Sequence, residues 1–445
     1  MNPDLFLTQT LRSHPRGDSI ARILAASLEA VEPGRAVRRH LTMDAGILSM
    51  AGIPIEVRGR IHTLGIGKAA SAMTRALADV LGPRPTAGLV VTKHKPEWSI
   101  PGVEIIEGGH PIPDERSLDA GKKVEKFVSC LGADELLICL ISGGGSALVT
   151  FPVEGVSLQD MQSLTASLLE CGAQIDEMNL IRRQLDRLKG GGLAQMAAPA
   201  QIVSLILADV VGNSLESIAS GPTVPDPTTA EDALAVLDRY KLVKCTAPNI
   251  IKVLKQKKKT PEPEKSLFSR IHNIIVGSNL IAAQAALKQA EQEGFHPYLL
   301  RTDLQGEARE VARDLSIQLR WAWKMGDPAP RPACIVAGGE TTVTIQGNGR
   351  GGRNTELALA SVSELADFPE VMLVTLATDG EDGVTDAAGA VVTGNTWRQG
   401  IALDMNATEF LNRNDSYTYF NKLDDLLTPG PTGTNVNDLT FLFTF

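Results

Sequence analysis

Cysteine is sparse in this 445-residue sequence: Cys130, Cys139, Cys171, Cys245 and Cys334 are the five present. They form neither a C-x-x-C pair nor Cys/His zinc spacing, and an odd number does not suit a disulfide framework. They read as reduced, mostly buried, small apolar residues. Positive charge is also short. The formal net charge is −9, whereas sequence-independent binding of nucleic acid needs a basic face that displaces counterions from phosphates. No run approaches the ~20 consecutive apolar residues of a membrane span. The N-terminal stretch MNPDLFLTQTLRSHPRGDS has no apolar core behind a basic start. The expected address is therefore the cytoplasm, with neither a membrane nor a nucleic-acid partner. No internal repeat is visible.

What remains is globular in character: 43% hydrophobic, 21% charged and 4% aromatic residues. At roughly 100–200 residues per domain, the length predicts two domains and an available cleft between them. Strand-like apolar runs such as IHTLGIG, AGLVVTK, VEIIEGG and ELLICLISGGG alternate with helical patterns such as KAASAMTRALADVL. That alternation is the mark of βαβ units on a mostly parallel sheet, so the expected class is α/β. Residues 1–245 are expected to form a Rossmann-like first domain and 246–270 an exposed Lys/Pro-rich connection. Residues 271–445 are expected to form a second α/β domain with a mixed sheet, beginning with IIVGSN.

Glycine clusters follow strand-like runs repeatedly, and the C-terminal ends of parallel strands are where open α/β sheets bind ligands. In GIGKAA, Lys68 stands where a strand gives way to a helix, so its ammonium can meet an anion drawn to free N–H groups. His62 and Ala69 break the P-loop consensus around it. SGGGSA, containing Ser142, Gly143, Gly144, Gly145 and Ser146, offers consecutive amides unobstructed by side chains, the composition of an anion nest. Its preceding run ELLICLI is continuously apolar, as a buried parallel strand is. His110, in GGHPIPDE, reads as a turn residue.

GNGRGGRNTE raises a competing possibility, because Gly347, Gly349 and Gly352 satisfy the dinucleotide-binding pattern G-x-G-x-x-G. A true fingerprint follows a buried strand, but the run TTVTIQG alternates polar and apolar residues as a half-exposed strand does. The segment CIVAGGE and this run are expected to be consecutive strands joined at Gly338 and Gly339. Arg350 and Arg353 add planar forks suited to phosphate or carboxylate, and Asn354 is placed to cap the following helix. Glu340 in GGETTV joins Asn354 as a candidate for substrate or phosphate contact. TDGEDGVTD gathers Asp379, Glu381, Asp382 and Asp386 after an apolar run without matching a calcium loop. Asp379, Asp382 and the similarly placed Asp209 are candidates for holding magnesium or taking a proton from a hydroxyl.

Together, GIGKAA, GGHPIPDE, SGGGSAL, LKGGGLA, IASGPTVPDP, GGETTVTIQGNGRGGRNTELALA, ATDGEDGVTDAAGA and GPTGTNVND resemble the glycerate 2-kinase family, the group ending in a MOFRL domain. The resemblance runs from about Leu64 to Leu439. It implies phosphorylation of D-glycerate by ATP with a divalent metal, Mg²⁺, usually giving 2-phosphoglycerate, in a cleft between the domains. It also implies catalytic roles for Lys68 and for Arg353 of the GGRN motif. Some relatives carry a hydroxypyruvate reductase label, so an NAD(P)H enzyme is the rival reading, and a non-catalytic sugar-acid binding protein a second. This chain departs from the pattern at Ala208 and Asn213, where relatives have Ser and Asp, and at Gln184 and Asp186, where they have His and Ser.

Overall fold

Continuous apolar runs ending in glycine become buried parallel strands, and they build the sheet on which most candidate loops sit. The computed structural model describes residues 1–44, 47–82, 86–257 and 265–445. These form two units, one of Pro33–Val276 and one of Met1–Glu32 with Gly277–Phe445.

In the first unit, β1 (Ile61–Ile66), β2 (Thr86–Thr92), β3 (Val103–Glu107), β4 (Leu136–Ile141), β5 (Gln201–Leu207) and β6 (Ile271–Gly277) form one sheet in the order β3-β2-β1-β4-β5-β6. The pairs from β3 to β5 are parallel. Every residue of β4 is buried, which accounts for its unbroken apolar sequence. The strand order reverses between β1 and β4, so a crevice opens beyond their C-terminal ends. The glycine loops after both strands meet there. Helices Ala70–Leu81 and Glu115–Val128 provide crossovers, the second started by Asp114, whose carboxylate accepts from the amides of Arg116 and Ser117. A small antiparallel sheet of Leu41–Asp44, Ile47–Met50 and Ile53–Ile55 has no counterpart in the sequence reading.

Two boundaries differ from expectation. The run IIVG belongs to β6, the last strand of the first sheet, because β5 offers it an edge: the Ile202 amide donates to Arg270 O at 3.2 Å. The 246–270 segment is not simply an exposed connection. Pro248–Gln256 is a helix whose Ile250 and Leu254, one turn apart, are fully buried with Leu164, Ile181 and Leu237. Its lysines occupy the other face and mask this apolar stripe. Residues 258–264 of the expected connection lie outside the described residues.

The second unit holds β7 (His296–Leu304), β8 (Ala333–Gly339), β9 (Val371–Ala377), β10 (Gly389–Thr393), β11 (Leu426–Leu427) and β12 (Asp438–Thr444), in the order β7-β8-β12-β9-β10-β11. Only the β7–β8 pair is parallel, so the sheet is mixed. The first 32 residues join this unit and not the one that follows them in sequence. The reason is burial: helix Gly17–Ala30 hides Ile20, Ile23, Leu24 and Leu28 and packs on helix Asn279–Gln292.

TTVTIQG is not a strand. Its amides go elsewhere, Thr344 N to the Glu307 carboxylate and Gln346 N to Asn414 Oδ1, and Ile345 is 79% exposed. Cys139 and Cys334 are buried as expected, but Cys130, Cys171 and Cys245 are exposed; all five are free thiols. Among the described residues no helix is long and apolar enough to cross a membrane.

Candidate active site

At the crevice of the first unit, the chain after β1 and the chain after β4 are stitched together. Lys68 N donates to Gly143 O at 2.9 Å, and Ala69 N donates to the buried Ser142 Oγ at 3.0 Å. Approach this close requires glycine: a Cβ on Gly67, itself at φ +131°, would lie 2.2 Å from Ser142 Oγ. Gly144 has φ +81°, and a Cβ there would meet the His110 ring at 3.0 Å and Lys68 Cε at 3.3 Å. A Cβ on Gly143 would fall 2.2 Å from Asp209 Oδ2. Lys68, His110 and Asp209 therefore converge on the bare backbone of SGGGSA. The amides of Gly143, Gly144 and Gly145 donate to no group among the described residues. Ser146 Oγ lies 2.9 Å from Ser220 Oγ, in a stretch where Ala219 and Ser220 both take positive φ.

Electrostatics at this crevice favour an anion. Lys68 is exposed. Burial, with help from Lys68 and Lys93, pushes His110 down to about 4, so the imidazole is neutral at pH 7 and does not add to the positive charge. Burial raises the Asp209 carboxyl, against the opposing pull of Lys68. His110 thus lies beside the glycine loop, a placement its sequence context does not indicate. The missing signal was long-range: HPIP and SGGG are distant in sequence and neighbours only across the sheet.

The second unit presents Arg353 at the start of helix Arg353–Glu364. Its guanidinium is held from two sides, by Asp438 (Nε–Oδ2 2.5 Å, Nη2–Oδ1 3.2 Å) and by Glu340 (Nη1–Oε1 2.9 Å). Burial opposes its charge, but Asp438 and Glu340 outweigh burial and hold the group above its ordinary value. Asp438 opens the central strand β12 and was absent from the candidates. Its signal was an acid directly before the apolar run LTFLFTF.

Asp379 and Asp382 share a loop but not a role. The Asp382 side chain is buried and accepts from Asn354 N at 3.0 Å, Thr355 N at 2.8 Å and Thr355 Oγ1 at 2.8 Å. It caps the helix, the part sequence assigned to Asn354, which instead lies buried inside the first turn. These three bonds account for Asp382 as a helix cap. Among the described residues the Asp379 carboxylate accepts only the Glu381 amide, at 3.2 Å, and burial raises that carboxyl.

The G-x-G-x-x-G amides are likewise spent inside the protein. Gly347 N donates to Asn414 Oδ1, Gly349 N to Arg413 O, Arg350 N to Asp415 Oδ1 and Gly352 N to Thr355 Oγ1. Arg350 lies over the Tyr417 ring at 4.0 Å. With these glycine amides already used, the loop is poorly suited to cradle a pyrophosphate.

Comparison with known proteins agrees with these features. Residues 19–255 match the model of a domain of unknown function, DUF4147, and residues 333–438 match the MOFRL family. A D-glycerate 2-kinase of Thermotoga maritima is 39% identical over 418 residues, covering 94% of this chain and 95% of the relative. A putative hydroxypyruvate reductase of Agrobacterium vitis is 40% identical over 401 residues, covering 89% and 90%. The crystal structure of a Thermotoga maritima glycerate kinase superposes with a TM-score of 0.86 at 38% identity, covering 95% of this chain and 98% of that one. On this similarity across nearly its whole length, the chain belongs to the glycerate kinase family that carries a MOFRL domain.

Proposed function

We propose that this protein transfers the terminal phosphoryl group of ATP to D-glycerate, giving 2-phosphoglycerate, with Mg²⁺ as the metal. The observation that carries this reading is the glycine-lined crevice at the switch point of the parallel sheet, where unpaired amides and the Lys68 ammonium face a common space. The names of the glycerate kinase relatives support it. Phosphoryl transfer spreads negative charge over the phosphoryl oxygens, so positioned cations and amides can do most of the catalytic work. Lys68 supplies a point charge and Gly143, Gly144 and Gly145 supply donors. Arg353 supplies a planar fork whose two carboxylate partners hold its orientation before substrate arrives.

Magnesium bound with nucleotide neutralises phosphate charge, and it ordinarily takes only one or two protein carboxylates. Among the described residues no three His, Cys, Asp or Glu side chains cluster as a metal cage. Among the described residues the Asp209 carboxylate of the first unit and the Asp379 carboxylate of the second have no side-chain partner, and each is proposed as a magnesium ligand. A nicotinamide-dependent reaction is not favoured, since the amides of Gly347, Gly349 and Gly352 are occupied.

Incubation of the pure protein with D-glycerate, ATP and Mg²⁺, followed by ³¹P NMR, tests the reading. The expected product is 2-phosphoglycerate with stoichiometric ADP. Turnover of hydroxypyruvate with NAD(P)H at a rate matching or exceeding any ADP formation would overturn it.

A further inference from the structure

Beside the glycine loop, a slot of about 100 Å³ opens between the HPIP segment and helix Leu158–Glu170, whose Met161, Thr165 and Leu169 give it a largely apolar wall, and Arg182 of helix Ile175–Leu185, Lys189 and Ser146 also line it. Two cations therefore reach it, in different electrical states. Lys189 Nζ is neutralised by Asp186 at 2.6 Å, and that carboxylate also accepts from Thr150 Oγ1 at 2.8 Å. Arg182 is not neutralised. Among the described residues it has no carboxylate partner, only Asn179 Oδ1 at 3.4 Å. Its neighbour Arg183, by contrast, is paired with Asp226 at 2.9 Å. Burial lowers the Arg182 guanidinium from its ordinary value. A partly buried guanidinium without a counter-charge is costly, and an anionic ligand would relieve that cost.

We propose that Arg182 is the anchor for the carboxylate of the acid substrate. This rests on the kinase reading and adds to it which residue selects an acid. The slot is well below the ~300 Å³ at which drug-sized ligands are usually enclosed, so it suits a three-carbon acid better than a nucleotide. Arg182 offers a planar fork that matches a carboxylate with two parallel hydrogen bonds. Ser146 ties the two regions together, because it lines the slot and belongs to the glycine loop. With the carboxylate on Arg182, the amides of Gly143, Gly144 and Gly145 remain for phosphate, and the adjoining hydroxyl carbon of the substrate faces that loop. The neutral triol glycerol, which has no carboxylate, gains nothing from Arg182.

Steady-state kinetics on Arg182→Gln and Arg182→Lys, each checked for native circular dichroism and thermal melting, test the assignment. Losing charge-assisted hydrogen bonds predicts a rise in KM for D-glycerate of roughly 10- to 100-fold in Arg182→Gln. The rise should be smaller in Arg182→Lys, with KM for ATP unchanged in both. The preference for D-glycerate over glycerol in kcat/KM should shrink in parallel, and added guanidinium ion should partly restore the KM of Arg182→Gln. Folded variants that keep the wild-type KM for D-glycerate, or that raise KM for ATP equally, would overturn the assignment. Wild-type protein that forms no ADP with D-glycerate would instead overturn the kinase reading, which separates the two failures.

Discussion

Arg353 shows how much one side chain depends on its neighbours. A guanidinium presents five donors, and here three of them contact Asp438 and Glu340, fixing the plane of the fork. Lysine in its place keeps the charge but cannot span Asp438 and a phosphate oxygen with fixed geometry. Arg353→Lys is therefore expected to lower kcat by about 10²-fold, the order lost with one preorganised donor. KM for D-glycerate should move little, because only interactions that strengthen in the transition state accelerate the chemical step. Steady-state assays with circular dichroism on the variant check this. An unchanged kcat in a folded variant would mean that the arginine serves the Asp438–Glu340 contact and nothing further.

At the scale of elements, helix Arg353–Glu364 illustrates capping from a distance. Its first turn leaves amides without intrahelical partners, and the buried Asp382 of a separate loop satisfies two of them. Desolvation pushes the Asp382 carboxyl up to about 6, against the lowering effect of those same amides. Asp382→Ala removes the cap and is expected to cost about 1–2 kcal/mol of stability, in line with lost N-caps. The Mg²⁺ concentration giving half-maximal activity should stay at the wild-type value. Thermal melting and a Mg²⁺ titration separate the alternatives: an unchanged melting temperature with a raised Mg²⁺ requirement would return Asp382 to the metal.

For the whole molecule, the informative fact is that Lys68 and Arg353 belong to different units. If both cations stabilise the same phosphoryl transfer, removing one should leave less for the other to contribute. The double variant Lys68→Ala/Arg353→Lys is expected to lose less in log kcat/KM than the two single losses added. Additive losses would assign the residues to separate steps. The same scale governs the N-terminus, which is first in sequence yet packs with the last 169 residues, Gly277–Phe445, through Ile20, Ile23, Leu24 and Leu28.

Much of this was written in short stretches of sequence. Strands β1 and β4 and the glycine loops after them were legible because an apolar run closed by glycine is a local signal, and a buried parallel strand has no polar face to obscure it. Lys68 was legible as a candidate because it stands where a strand gives way to a helix, whereas the catalytic roles expected of Lys68 and Arg353 came from the resemblance to the family. Tertiary structure alone decided the rest. The edge offered by β5 drew IIVG into the first sheet, and the competing acceptors Glu307 and Asn414 kept TTVTIQG out of the second. Pairing likewise separated Asp382, consumed by a helix, from Asp379, and separated Arg183, neutralised by Asp226, from Arg182. Residue type sets what a side chain can offer. Which offers are already taken depends on partners tens to hundreds of residues away, and local sequence does not encode that distance.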